Sequence, residues 1–172
     1  VVPAFDVNLD FAGGDDPQDA NFSITASNIL PTNSSGLVIN TVPDGQLYYS
    51  QNNKGTIWFD RVSNDAGWTI EFSLRVDQIV DDSQVTNSSS PDGIGVYVND
   101  GKFQENIQFF ENSIVFTNAN TSIEYDATVL SEYRLTGKGG ELKLYAKADN
   151  QTYSLIASSR FQTKATSEAN GN

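Results

Sequence analysis

The chain has 172 residues, 38% of them apolar, and a formal net charge of −12 from 22 acidic and 10 basic side chains. That length and apolar content suit one all-β domain with a packed core, and a surface of that sign repels phosphate backbones and anionic membranes, so neither nucleic acid nor a membrane surface is an expected partner. With no Cys and no His, disulfides, thiolate sites, His-dependent triads and His-ligated zinc are excluded. No apolar run approaches the length of a membrane span. The chain starts at Val1 and contains no Met, and is read as a processed product or a domain cut from something longer.

Period-two alternation begins at once. Phe5, Val7, Leu9 and Phe11 alternate with Asp6, Asn8 and Asp10, which predicts a half-buried strand. Further strands are predicted over 22–26, 36–42, 46–50 and 55–60, with turns at Gly13-Gly14 and Pro43-Asp44-Gly45. Six Asp and no Lys or Arg occur before Lys54. Asp15, Asp16 and Asp19 fall in a Gly/Pro-containing loop, where flexible carboxylates suit calcium. Asp81, Asp82 and Asp92 are an alternative set. For either, a solvated acidic loop is the plainer explanation.

The clearest strand follows. Trp68, Ile70, Phe72, Leu74 and Val76 alternate with Thr69, Glu71, Ser73, Arg75 and Asp77, predicting a central strand with Trp68, Phe72 and Leu74 in the core. A polar loop spans 81–92. Strands are then expected around 94–98, 103–110, 113–117, 122–129, 132–136, 142–146 and 153–158, separated by Asn99-Asp100-Gly101, Gly137-Lys138-Gly139-Gly140 and Asp149-Asn150. No segment has convincing helical periodicity. The expectation is an all-β, two-sheet antiparallel sandwich of jelly-roll type over residues 1–162, with 163–172 as a polar tail or linker.

Several residues stand out against this pattern. Trp58 shares a face with Thr56 and Asp60, Tyr97 lies opposite Val96 and Val98, and Tyr145 accompanies Glu141, Lys143 and Lys147. Aromatic rings among polar neighbours can stack on sugar faces, with Asp60 or Arg75 taking hydroxyl hydrogen bonds. A small second core beneath loops is the plainer reading of each ring taken alone. Glu105 shares parity with Phe103, Ile107 and Phe109, which would bury a carboxylate and raise its pKa, as in a general acid. A bulge at Gln104–Asn106 that turns it to solvent is favoured. Glu71, on the wet parity of its strand, is the candidate second carboxylate for glycoside hydrolysis. Asn21, Asn33, Asn87, Asn120 and Asn150 head Asn-x-Ser/Thr triplets, which this composition produces by chance.

Gly67-Trp68-Thr69-Ile70-Glu71-Phe72-Ser73-Leu74-Arg75-Val76 followed by Asp92-Gly93-Ile94-Gly95-Val96-Tyr97-Val98, and Tyr133-Arg134-Leu135-Thr136 followed by Glu141-Leu142-Lys143-Leu144-Tyr145-Ala146, resemble the laminin-G-like branch of the concanavalin A-like lectin/glucanase superfamily over roughly residues 66–160. The resemblance implies two antiparallel sheets, one concave, and binding of glycans or proteins, often with calcium at the rim. The Gly usual after the Leu-Tyr strand is replaced by Lys147-Ala148-Asp149-Asn150. The glucanase Glu-x-Asp-x-x-Glu spacing and the lyase His are both missing. The resulting expectation is a non-catalytic, carbohydrate-binding module of a larger secreted, cell-surface or virion-surface protein, flanked by other domains. A glycosidase or lyase using Glu105 and Glu71, and a structural domain of a fibre or adhesin, are the alternatives.

Overall fold

The computed structural model describes residues 23–27, 46–50, 65–77, 93–99, 103–147, 151–160 and 162–163. The chain forms two compact units, Val1–Asp60 and Arg61–Asn172. In the first, β1 (Ser23–Ser27) pairs antiparallel with β2 (Gln46–Ser50), Ser23 opposite Ser50 and Ser27 opposite Gln46. The strands predicted over 5–11, 36–42 and 55–60 and the 81–92 loop lie outside the described residues, as do Trp58, Asp60 and both candidate calcium sets.

The second unit contains β3 (Trp68–Leu74), β4 (Ile94–Asn99), β5 (Phe103–Phe109), β6 (Ser113–Phe116), β7 (Thr121–Glu124), β8 (Ser131–Lys138), β9 (Glu141–Lys147), β10 (Ser154–Arg160) and β11 (Gln162–Thr163). They make two antiparallel sheets. One is four-stranded in the order β10-β9-β8-β3. The other is five-stranded in the order β11-β5-β6-β7, with β4 paired to β5. The described residues contain no helix long and apolar enough to cross a membrane.

The alternation read along the chain is what packs these sheets together. Tyr133, Leu135, Leu142, Leu144, Ala146 and Ala157 of the four-stranded sheet share one buried cluster with Val98, Ile107, Phe109, Ile114 and Phe116 of the five-stranded sheet. Aromatic edges bridge the layers: the Phe109 and Tyr133 rings lie 5.0 Å apart and the Phe72 and Phe109 rings 5.9 Å, both edge to face. This is a β-sandwich.

Three local expectations need correcting. Among the described residues β3 is the last strand of its sheet, not a central one. Trp68, Ile70, Phe72 and Leu74 do pack against the core but are partly exposed. Alternation reports one buried and one wet face, and an edge strand satisfies that as well as a central strand. The strand expected over 122–129 ends at Glu124. Beyond it the Tyr125 and Ala127 amides donate to the carbonyls of Asn112 and Glu111, and Asp126 accepts from the Thr128 amide at 3.0 Å, which turns the chain. Finally, Gly137 and Lys138 belong to β8, and the turn is Gly139-Gly140 alone, with φ of +60° and +83°. Both central residues at positive φ is the turn that matches hairpin twist, and glycine adopts it without strain.

Candidate functional site

Strand pairing aligns the outward side chains of the four-stranded sheet in rungs. One rung runs Glu71, Arg134, Tyr145, Leu155; the next is Thr69, Thr136, Lys143, Ser158. Ser73, Glu132 and Lys147 make a third, and Lys138, Glu141 and Arg160 a fourth. Opposite charges meet on this face, two pairs across neighbouring strands and one along β9. Arg134 Nε donates to Glu71 Oε1, Lys147 Nζ lies 2.8 Å from Glu132 Oε2, and Lys143 Nζ lies 3.1 Å from Glu141 Oε2. These carboxylates hold the Lys143 and Lys147 ammonium groups above their ordinary pKa. The Arg134 guanidinium covers the Tyr153 ring at 4.0 Å, and Tyr153 Oη donates to Glu132.

Near the Gly139-Gly140 turn this face is hollowed. A shallow depression of about 530 Å³ is lined by Trp68, Thr69, Thr136, Lys138, Lys143 and Tyr145, among others. Trp68 borders it from the core side of β3. A Cβ on Gly137 would collide with the indole ring and come within 2.8 Å of Nε1, so Trp68 lies flat against bare backbone. Tyr145 is half-buried, and Leu155, beside it on β10, is 53% exposed, so the apolar strip continues outward. A second depression, of about 700 Å³, adjoins at Glu141. Its one aromatic, Phe103, is packed against Gly140, with ring carbons 3.2 Å from where a Cβ would stand, which leaves less ring for a ligand.

The chain matches no protein-family model, no curated protein and no solved structure.

Of the expected ligand residues, Arg75, Tyr97 and Tyr145 are described, and the two tyrosines stand on different sheets. Tyr145 is on the four-stranded sheet, whereas Tyr97 is 59% exposed on β4 of the five-stranded sheet. There Tyr97 Oη donates to Gln104 Oε1 at 3.1 Å and accepts from Asn99 Nδ2 at 3.2 Å. Arg75 follows β3 and is engaged by Asp77, Nε to Oδ1 at 2.5 Å. Glu71 belongs with Tyr145 rather than with Glu105.

Glu105 is where the sequence reading fails most instructively. The expected bulge does not form: Tyr97, Val98 and Asn99 face Asn106, Glu105 and Gln104 in unbroken register. Glu105 is fully buried. Its Oε1 accepts from the amides of Asn106 at 2.9 Å and Asn118 at 2.8 Å, and its Oε2 accepts from the amide of Ala119 at 3.2 Å. Burial pushes its carboxyl above the ordinary value, and the three amide bonds pull the other way. The carboxylate clamps the 117–120 turn onto β5, where Thr117 N also donates to the Asn106 carbonyl at 2.9 Å. Asn120, in that turn, has φ of +51°. Glu105 points from one sheet into the core and Glu71 points outward from the other, so the pair considered for glycoside hydrolysis shares no face.

Thr69, Thr136 and Lys138 were not singled out from the sequence. Their signal was present as polar parity on predicted strands, but their convergence with Tyr145 depends on the β3-β8-β9 register. Among the described residues no group of three or more Asp, Glu, His or Cys is placed to hold a metal ion.

Proposed function

We propose that the chain is a non-catalytic recognition module that binds carbohydrate in the depression around Tyr145, within a larger secreted or surface protein. The observation that carries this reading is a half-buried tyrosine bordered by paired threonines and lysines on an open sheet face. A sugar laid on Tyr145 buries its C–H face against the ring. Its hydroxyls meet the Thr69 and Thr136 hydroxyls one rung away, about 7 Å along the strand, with Lys143 as a further donor. The two-sheet antiparallel architecture supports the jelly-roll, concanavalin A-like reading of the sequence. A shallow open site of this kind binds weakly by itself and gains strength when several copies engage together, which suits a module in a larger assembly.

The test is a glycan array followed by calorimetry on the best binder. Tyr145→Ala should weaken binding at least about tenfold, the loss of one stacked ring at ~1.5 kcal/mol, with an unchanged melting temperature. Tyr97→Ala, on the other sheet, should bind as the parent does. The reading is wrong if no glycan binds, or if Tyr145→Ala binds as well as the parent.

A further inference from the structure

Charge is distributed unevenly over this molecule. Arg134, Lys138, Lys143, Lys147 and Arg160 all stand on the outward face of the four-stranded sheet, half of the chain's 10 basic residues. Against them stand Glu71, Glu132 and Glu141. That face carries a surplus of two positive charges on a chain whose net charge is −12. The surplus is not spread evenly along it. Arg134 and Lys147 are matched by Glu71 and Glu132, whereas at the depression Lys138 and Lys143 meet the single carboxylate of Glu141, which lies 3.1 Å from Lys143. Lys138 and Arg160 make no ion pair among the described residues. Charges beyond a Debye length, about 8 Å at physiological ionic strength, are largely screened. A ligand in the depression therefore responds most strongly to the charges that line it, Lys138, Lys143 and Glu141.

We infer that the carbohydrate bound here is anionic, an oligosaccharide bearing carboxylate or sulfate groups, with Lys138 and Lys143 receiving an acidic group while Tyr145 stacks on a sugar ring. This rests on the carbohydrate reading above and adds the ligand class. Glu141 then acts as a brake: it occupies Lys143 in the free protein and must yield it when an acidic group arrives.

The test compares short oligogalacturonate, its uncharged methyl ester and a heparin oligosaccharide by calorimetry, alongside the glycan array. At least one of the two acidic probes should bind tighter than the ester, and which one does so separates carboxylate from sulfate. Its affinity should fall at least about threefold between about 0.1 M and about 1 M salt, as the Debye length shrinks from ~10 Å to ~3 Å. Lys138→Gln should weaken it about two- to fivefold, as expected for one exposed ion pair. Glu141→Gln should strengthen it by about twofold, a gain that structural damage does not produce. If the array and the probes show neutral glycans binding as well as or better than acidic ones, or if Glu141→Gln weakens binding, the inference is overturned and the carbohydrate reading stands. If the folded protein binds no glycan at all, both fall.

Discussion

Replacing Glu105 probes the least expected feature of the molecule. The side chain is fully buried and accepts three backbone N–H bonds between 2.8 and 3.2 Å. Glu105→Ala orphans three donors, each worth about 1–3 kcal/mol if it stays dry. The donors of Asn118 and Ala119 lie in a turn that water can reach once the clamp is gone, so the total should be nearer 3–5 kcal/mol than the sum. Glu105→Gln keeps an acceptor for Asn106 and Asn118 but sets an amide N–H against that of Ala119, and should cost about 1–2 kcal/mol. The pH dependence carries a sign. Burial, the largest influence, places the folded-state pKa above the ordinary 4.5. The stability owed to this group is therefore fully present below pH 4.5 and declines as pH rises through the raised folded value. Glutamine does not titrate. Urea melts of parent and Glu105→Gln from about pH 4 to 7 should thus show the parent's advantage shrinking as pH rises. An advantage that grows with pH would mean that the three amides outweigh desolvation, and would refute the reasoning.

Two other substitutions test the packing. Gly137→Ala drives a methyl into the Trp68 ring and should cost about 1–3 kcal/mol by overpacking. An unchanged denaturation midpoint would show that Trp68 moves aside freely. Phe72→Ala removes a ring 5.5 Å from Tyr133 and 5.9 Å from Phe109 and should cost about 3 kcal/mol. A loss under about 1 kcal/mol would show that β3 contributes little to the core.

How much of this was legible beforehand follows from what alternation encodes. Trp68 to Asp77, Ile94 to Val98 and Leu142 to Ala146 each announced a strand with one buried face; β4 and β9 are those strands within a residue, and β3 ends three residues sooner, at Leu74. Chemistry local to a few residues was readable in part: a glycine turn was expected between β8 and β9, and it closes at Gly139-Gly140 with Gly137 and Lys138 kept in the strand. Two things were not encoded locally. One is the partner of each strand, because any half-buried strand satisfies its own pattern in the middle of a sheet or at its end. The other is satisfaction at a distance. Parity placed Glu105 in the core correctly, and a bulge was favoured because a lone buried carboxylate is costly. The amides that lower that cost belong to Asn118 and Ala119, 13 and 14 residues away, and backbone donors have no signature in side-chain identity.

The same limit explains the candidate site. Tyr97 and Tyr145 look alike in sequence, each an aromatic on the wet parity of a strand. Sheet membership separates them, and it also ranks them. Tyr97 already has its hydroxyl committed to Gln104 and Asn99, and it lines neither of the two depressions described above. Tyr145 lines a hollow together with Thr69, Thr136, Lys138 and Lys143. A ligand face on a β-sandwich needs an aromatic on the outside and polar groups that converge beside it. Single-residue parity can find the first, whereas the second appears only when register sets Thr136 opposite both Thr69 and Lys143.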